Sequence, residues 1–223
     1  MKGSDKSYDV NNTGKRAGMK VLIVESSYPN DFYKQKLDGI AAQGILKILG
    51  VSNELRFVLD RKHFRKAIAD AKEMSCSLIH LSCHGGEDGI ALANNCQVNW
   101  DQFADLFQEI AWCPYALVMS SCCGATSGIR KAFETKSQRP GIIFGSSDER
   151  SYAEYTVAWA ILYHRFKMDG VTKDAAQHAL KEIHAVVSDK FLYRRWSDSG
   201  GEYRFYPRKT DKYQITNVSK PKR

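Results

Sequence analysis

The sequence predicts an α/β fold with three layers, a mostly parallel central sheet and helices on both of its faces. Three apolar runs are continuous rather than alternating, at 19–26, 115–121 and 141–147. Such runs are typical of strands that are buried on both faces. Amphipathic helical patterns separate these runs, and alternation of strands with helices favours a parallel sheet. No internal repeat divides the chain, so we expect a single folded unit.

The individual elements follow from periodicity and from helix start and stop signals. They are predicted as strand 19–26, helix 31–50, strand 54–60, helix 62–74, strand 77–83, helix 100–111, strand 115–121, a helix capped by Thr126 or Ser127, strand 141–147, helix 150–170 and helix 172–196. Residues 89–100 are predicted to form a small hairpin with its turn at Asn94-Asn95. Gly50 and Gly170 are expected to end their helices. The segment after the last helix is either loose or an edge strand.

Length, composition and charge limit the classes of function. The 223 residues, 43% of them hydrophobic, suit one domain with a sizeable core. We expect a flexible basic lead-in at 1–18, the folded domain at 19–203 and a basic tail at 204–223. The net charge of +8 divides into +3 over residues 1–20 and +6 over the tail, which leaves the body nearly neutral. Nucleic-acid binding is therefore the weakest functional hypothesis.

Cysteines and apolar runs predict a compartment. The six cysteines show no C-x-x-C spacing for zinc, and no secretory leader is recognisable ahead of them. We therefore expect reduced thiols in a cytoplasmic protein, without contact to a membrane because no apolar run approaches ~18 residues. No cofactor and no metal are expected. His80 and His84 would stand about 13 Å apart on an extended strand, too far for one ion.

Two predicted strands end in residues that carry chemistry. One ends at His84-Gly85 and the other at Cys122-Cys123. Ligands of open α/β sheets bind beyond the carboxyl ends of strands, and neighbouring strands are ~4.8 Å apart. An imidazole beside a thiol is the pairing of a cysteine nucleophile with its base, and a helix N-terminus behind the cysteine favours the thiolate. A core histidine and a buried thiol are the alternative.

The stretches CHGGEDGIAL and PYALVMSSCCG resemble the His-Gly and Cys-x-Gly signatures of caspase-like cysteine peptidases of clan CD, and the resemblance spans about residues 19–187. LIHLSCHG and the later helices are more similar to the CHAT-domain branch. The resemblance implies a caspase-like sandwich and an endopeptidase with Cys122 as nucleophile and His84 as its partner. Backbone amides of Gly85 and Cys122 would then hold the oxyanion. The strand register favours Cys122, and Cys123 remains the alternative.

Departures from the caspase pattern bear on substrate choice. Ser120 stands two residues before the nucleophile, where caspases have glutamine, and the arginines that hold an aspartate side chain have no assignable counterpart. Asp148 and Glu149 follow the strand at 141–147, near the expected S1 wall. There they would favour Arg or Lys at P1 through a charge-assisted pair. An equal alternative is that both acids cap the next helix.

The leading hypothesis is therefore a cysteine endopeptidase that cleaves a protein substrate through a Cys/His dyad. The resemblance to the CHAT branch implies regulation by an activating protein partner in a bacterial signalling or defence system. The short segment between the strands at 115–121 and 141–147 predicts that the enzyme works as an uncleaved single chain. A second hypothesis is a catalytically silent caspase-like module that acts by binding alone.

Overall fold

Strands and helices alternate along residues 18–207, the part of the chain that the computed structural model describes. The strands are β1 (Lys20–Ser26), β2 (Ser52–Phe57), β3 (Leu78–Gly86), β4 (Gly89–Ala91), β5 (Gln97–Asn99), β6 (Ala116–Ser120), β7 (Ile142–Ser146), β8 (Phe191–Ser197) and β9 (Glu202–Tyr206). The helices are α1 (Pro29–Tyr33), α2 (Asp38–Ile48), α3 (Arg61–Glu73), α4 (Trp100–Ile110), α5 (Ser127–Glu134), α6 (Tyr152–Asp169) and α7 (Lys173–Val186). All five predicted strands between residues 19 and 147 are present, and so is the predicted hairpin, formed by β4 and β5.

The strands form one sheet in the order β2-β1-β3-β6-β7-β8-β9. The first five strands of this order are parallel, whereas β8 and β9 add antiparallel pairs at one edge. The hairpin of β4 and β5 extends from the end of β3. The carboxyl ends of the parallel strands therefore share one rim of the sheet, and β3 and β6 are direct neighbours there.

Apolar side chains fill both faces of the sheet. Along β1, Leu22 and Val24 face one core, and Val21 and Ile23 face the other. The first core also contains residues of α3, α4 and α5, and the second contains residues of α2, α6 and α7. Continuous apolar runs are thus explained by burial on both faces. The three-layer α/β fold with a mostly parallel central sheet is confirmed.

Capping residues determine where several helices begin. Asp60 accepts the amide of His63 at the start of α3, and Thr172 accepts the amide of Ala175 at the start of α7. Asn99 and Ser151 each form a capping box with the residue three positions later. Side-chain acceptors satisfy amides that lack partners in the first helical turn, usually stabilising the helix by about 1 kcal/mol each.

The predicted helix at 31–50 is wrong as a single element. It consists of two helices, α1 and α2, separated by a left-handed residue, Gln35, and an extended residue, Leu37. The break has a tertiary cause, because the carboxylate of Glu25 accepts the amide of Gly39 at 2.7 Å and fixes the first turn of α2 there. Helical spacing within one segment cannot show such a contact.

The predicted helix at 172–196 is too long. Helix α7 ends at Val186, and β8 follows after a short turn. Ser188 donates its amide to Ile183 at 3.2 Å, which closes the helix end. Phe191 and Tyr193 then alternate into the core, so that the strand is stabilised by pairing with β7. The segment after 196 contains the edge strand β9, one of the two alternatives.

Strand β9 continues to Tyr206, past position 203 where we placed the end of the domain. The predicted lead-in at 1–18 falls almost entirely outside the described residues, and so does most of the predicted tail at 204–223. Within residues 18–207, none of the helices has the length and apolar character needed to cross a bilayer.

Candidate active site

His84 and Cys122 stand at the same height on the rim of the sheet. Strands β3 and β6 pair in parallel, with Ser82 opposite Ser120 as the last pair. His84 and Cys122 each follow two residues beyond this pair. Both line a cavity of about 100 Å³ between the strand ends. The structure thus brings together the two residues that the sequence predicts for the dyad.

Gly85 allows the two strand ends to approach each other. A Cβ atom at this position would lie 2.6 Å from the carbonyl oxygen of Cys122 and 3.0 Å from Cβ of Ser121. Any side chain here would push the end of β3 away from the cysteine. The volume that a side chain at position 85 would need is therefore filled by the backbone and side-chain atoms of Ser121 and Cys122. The oxyanion role of the Gly85 and Cys122 amides stays a prediction.

The two adjacent cysteines have different surroundings. Cys122 lines the cavity, whereas Cys123 is not among its lining residues. Cys123 has a left-handed φ of 58° and donates its amide to the carbonyl of Asp148 at 3.5 Å. Burial, followed by nearby negative groups such as Glu87, raises the pKa of the Cys123 thiol. Because Cys122 shares the cavity with His84 and Cys123 does not line it, these surroundings favour Cys122 as the nucleophile. Both thiols are free.

The turn after Cys122 separates the thiol from the following helix. Gly124 donates its amide to Ser121 at 3.1 Å, and Ala125 donates to Ser146 at 3.0 Å. Helix α5 begins only at Ser127. The N-cap is Thr126, one of the two predicted capping residues, so Cys122 lies four residues ahead of the cap. The side chain of Thr126 makes no capping hydrogen bond.

A carboxylate orients the histidine. Asp31, on the short helix α1 just beyond β1, lies 2.7 Å from Nε2 of His84 through its Oδ2 atom. Tyr28 stacks on the imidazole with a centroid distance of 4.2 Å. The imidazole remains 38% exposed, so it is reachable from solvent. A carboxylate at Nε2 places a hydrogen on that nitrogen and leaves Nδ1 to exchange a proton.

Asp31 and Tyr28 were missed from the sequence. The segment SSYPND contains a usable signal, since a proline at the first position of a helix places Tyr28 at its N-cap. A helix that starts directly after a strand end also lies on the rim of the sheet. A single helix predicted over residues 31–50 gives Asp31 no role at the rim.

The predicted S1 residues divide into two groups. Ser120 is buried, lines the cavity and accepts a hydrogen bond from Nε1 of Trp159 at 2.7 Å. Asp148 and Glu149 are exposed and are not among the lining residues. They do not cap α6 either, because Ser151 holds that position. Whether any of these three residues contacts a substrate stays a prediction.

Comparisons with known proteins identify the fold. No protein-family model matches the chain, and no curated protein matches it. Among solved structures, a secreted C11 cysteine protease from Bacteroides thetaiotaomicron, iotapain, matches 79% of the chain at 10% identity, with a TM-score of 0.53. Gingipain R from Porphyromonas gingivalis, an Arg-specific cysteine proteinase, matches 77% at 11% identity and a TM-score of 0.52. The fold is that of clan CD cysteine peptidases.

The match covers only part of the chains of iotapain and gingipain R. The matched region spans 65% of the iotapain chain and 43% of the gingipain R chain. Caspase-1 from Spodoptera frugiperda matches 83% of this chain and 85% of its own at 16% identity, with a TM-score of 0.47. The predicted resemblance to clan CD is confirmed at the level of the fold. Closeness to the CHAT branch stays a prediction.

Proposed function

We propose that the protein is a cysteine endopeptidase in which Cys122 is the nucleophile and His84 exchanges the protons. One observation carries this proposal: the two side chains line a single cavity at the carboxyl ends of neighbouring strands. Acyl transfer needs a nucleophile and a base in one site. The clan CD fold supports the proposal, because iotapain and gingipain R are both named as cysteine proteases.

The reaction follows from these two groups. The Cys122 thiolate attacks the scissile carbonyl carbon, and the electron pair of the carbonyl moves onto oxygen. The tetrahedral intermediate collapses as His84 gives its proton to the leaving amine, which leaves a thioester on Cys122. Water then attacks the thioester while His84 takes a proton from that water molecule. The carbon–sulfur bond breaks, and the carboxylic acid is released from the Cys122 thiolate. The amides of Gly85 and Cys122 are proposed to hold the oxyanion in both steps.

Asp31 extends the dyad. Its hydrogen bond to Nε2 holds the ring in one orientation and stabilises the imidazolium that forms during proton transfer. Stacking on Tyr28 restricts rotation of the ring further. Asp31 touches neither the substrate carbonyl nor the sulfur in this proposal, and it therefore acts as a positioning residue for His84.

A groove next to His84 suits an extended peptide. It has a volume of about 450 Å³ and runs along the glycine-rich end of β3, with Tyr28, Gly86, Glu87 and Val98 among its walls. The groove lies on the hairpin side of His84, whereas the smaller cavity lies on the Cys122 side. We propose that substrate residues on one side of the scissile bond occupy this groove.

The finer parts of the proposal concern specificity and context. We propose that the enzyme prefers Arg or Lys at P1, with the exposed acids Asp148 and Glu149 as candidates for that preference. We further propose a cytoplasmic protease whose activity depends on a protein partner, in bacterial signalling or defence. Six free cysteines in the described chain are consistent with a reducing compartment.

Labelling with a peptidyl fluoromethyl ketone tests the proposed function. We expect the wild-type protein to be modified at Cys122, as mapped by mass spectrometry, and to cleave a fluorogenic peptide library. Cys122→Ala should lose both properties, and Cys123→Ala, the matched control, should keep both. Modification of Cys123 instead, or equal cleavage by the Cys122→Ala variant, contradicts the assignment. A folded protein that shows neither labelling nor cleavage with its partner present would be a silent binding module.

A further inference from the structure

His84 joins the small cavity beside Cys122 to the larger groove along the hairpin. Within residues 18–207 it is the one residue that lines both spaces. The cavity contains Cys122, and the groove leads away from the cysteine along the end of β3. A peptide bound across His84 would therefore place the residues on one side of its scissile bond in the cavity and those on the other side in the groove.

One face of the small sheet formed by the end of β3, β4 and β5 is the floor of the groove. Residues that pair directly across antiparallel strands point to the same face. This pairing gives two rows on the groove side, His84 with Ala91 and Gln97, and Gly86 with Gly89 and Asn99. The opposite face contributes the buried side chains of Ile90 and Val98 to the core. Because the second row has glycine at two of its three positions, this part of the floor is nearly bare of side chains.

Gly86 is not required by the fold. Its φ lies outside the left-handed region, and a Cβ atom at this position would meet no atom within 4 Å. By contrast, a Cβ atom at Gly89 would lie 2.2 Å from the carbonyl oxygen of Val98. One at Gly85 would lie 2.6 Å from the carbonyl oxygen of Cys122. A side chain at position 86 would therefore cause no strain in the chain and would occupy the groove instead.

We infer that the groove binds the leaving-group side of the substrate, residues P1′ to P3′, as an extended chain, and that Gly86 determines this specificity by keeping the groove open. The inference rests on the proposed function, since it assumes that the scissile carbonyl lies at Cys122. His84 gives its proton to the leaving amine, so the chain that follows this amine begins at the imidazole.

The dimensions of the groove set the number of residues. An extended chain advances ~3.3 Å per residue, in the substrate as in β3. Gly86 is two residues beyond His84, so a substrate whose P1′ nitrogen lies at the imidazole reaches the second row with P3′. The volume of about 450 Å³ is within the usual size of a ligand site. The expected substrate is a polypeptide that is cleaved at an internal bond with at least three residues beyond it.

Peptides that differ only beyond the scissile bond test the inference in the full-length wild-type protein. They share P4 to P1, taken from the library sequence that is cleaved fastest, and continue with one, three or five alanines and a C-terminal amide. We expect kcat/KM to rise by roughly 10-fold or more from one alanine to three and to change little from three to five. Chromatography of the products measures cleavage at the shared bond. Equal rates with one and three alanines overturn the inference.

Substitutions of Gly86 then assign this length dependence to the groove. Gly86→Leu should reduce the ratio of the three-alanine to the one-alanine rate to near one. Gly86→Ala adds a single methyl group and should give an intermediate ratio, which also serves where the leucine variant does not fold. Gly44→Leu is the matched control and should keep the wild-type ratio, because Gly44 is an exposed helical glycine whose Cβ atom would also meet nothing within 4 Å. Folded Gly86 variants with the wild-type ratio contradict the inference.

Shortening the peptides on the acyl side determines which side of the substrate lies in the groove. Peptides that retain three alanines after the scissile bond would lose P4, then P3, then P2. The decrease in kcat/KM along this series should be the same in the wild-type protein and in Gly86→Leu. If Gly86→Leu removes the dependence on acyl-side length instead, the groove binds the acyl side and the inference is wrong.

Failure of the inference and failure of the proposed function give different results. If peptides are cleaved at Cys122 regardless of their length beyond the scissile bond, the endopeptidase assignment stands and the groove has no role in specificity. A peptidyl fluoromethyl ketone has no residues on the leaving-group side, so its reaction with Cys122 does not depend on the groove. If no peptide is cleaved and this reagent does not modify Cys122, the proposed function itself is wrong and the inference fails with it.

Discussion

Two histidines on one strand, His80 and His84, show how position decides the role of a side chain. Each lies close to an aspartate from the segment that follows β1: Asp38 for His80, and Asp31 for His84. His80 is fully buried and its Nδ1 atom lies 2.5 Å from the hydroxyl of Tyr163. His84, four residues later, has passed the last paired residue of β3 and β6 and is 38% exposed.

Position at the rim of the sheet, rather than the pairing of a histidine with an aspartate, distinguishes the candidate catalytic site. Inside the sheet His80 is fully buried, its Nδ1 atom is hydrogen-bonded to Tyr163, and its Nε2 atom lies 3.4 Å from Asp38 without a hydrogen bond. At the rim Nε2 of His84 faces Asp31, the ring lines the cavity that also contains Cys122, and Nδ1 is the nitrogen that we propose exchanges protons.

Replacing the rim histidine should abolish cleavage without unfolding the protein. His84→Asn removes the proton-exchanging group, and we expect kcat/KM to fall by about 10³-fold. Because the ring is partly exposed and packs mainly on Tyr28, the thermal midpoint should move little. Fluorogenic cleavage and a thermal melt on the same sample measure both quantities. Loss of cleavage that is matched by loss of folded protein would contradict a catalytic role for this residue.

Replacing Asp31, the carboxylate that is hydrogen-bonded to His84, should have a smaller effect, and this effect should be on kcat. Asp31→Asn keeps the size of the side chain but weakens the orientation of His84, and we expect kcat to fall by about 10²-fold with little change in KM. Asp31→Glu should restore part of the loss, since it retains a carboxylate. A merely structural role for Asp31 predicts instead that kcat stays constant and that stability decreases. Initial rates over a range of peptide concentrations give kcat and KM and distinguish the two results.

Most of the fold was predictable from local patterns. Continuous apolar runs at 19–26 and 115–121 located central strands, because burial on both faces removes alternation. The strand ends at His84 and Cys122 were recognisable from the glycines that follow and from the resemblance to the clan. Parallel neighbours bring equal positions together, so the cavity shared by these residues follows from the order of the strands.

The features that the sequence did not predict depend on contacts between distant segments of the chain. Asp31 and Asp38 belong to two helices that look like one in the sequence, and the hydrogen bond that the Gly39 amide donates to Glu25 fixes where the second begins. The strand at Phe191–Ser197 contains leucine and arginine, which also fit a helix, and is stabilised by pairing with β7. Local propensity is a weak guide where tertiary pairing decides.

The buried histidine should contribute to stability rather than to chemistry. His80→Leu leaves the hydroxyl of Tyr163 without its partner, and we expect a loss of about 1–3 kcal/mol in the free energy of unfolding. The double variant His80→Leu/Tyr163→Phe should recover part of this loss, because it removes both polar partners. Urea denaturation measures the three proteins. A double variant that is less stable than the sum of both single changes would argue against a direct bond between these side chains.

The smallest effect concerns the buried carboxylate that anchors the second helix. Burial, the largest cause, raises the pKa of Glu25 above its usual 4.5, against the hydrogen bonds from Ser27 and Gly39. The folded protein therefore binds this proton more tightly than the unfolded chain does. As a result, the contribution of Glu25 to stability is greatest below pH about 4.5 and decreases as the pH rises through the folded pKa. Glu25→Gln should remove this slope.

A carboxyl with the opposite shift provides the control. Arg165 donates hydrogen bonds to Glu182 and lowers its pKa, so the stabilisation by Glu182 is present above pH about 4.5 and disappears as the pH falls. Solvent screens this exposed pair, so its contribution to stability is small. Urea denaturation from pH 4 to pH 8 should show that the stability difference between wild type and Glu25→Gln decreases with pH, whereas the difference for Glu182→Gln increases. Parallel profiles for wild type and Glu25→Gln would mean that the pKa of Glu25 is the same in the folded and unfolded chain, which would contradict a pKa raised by burial.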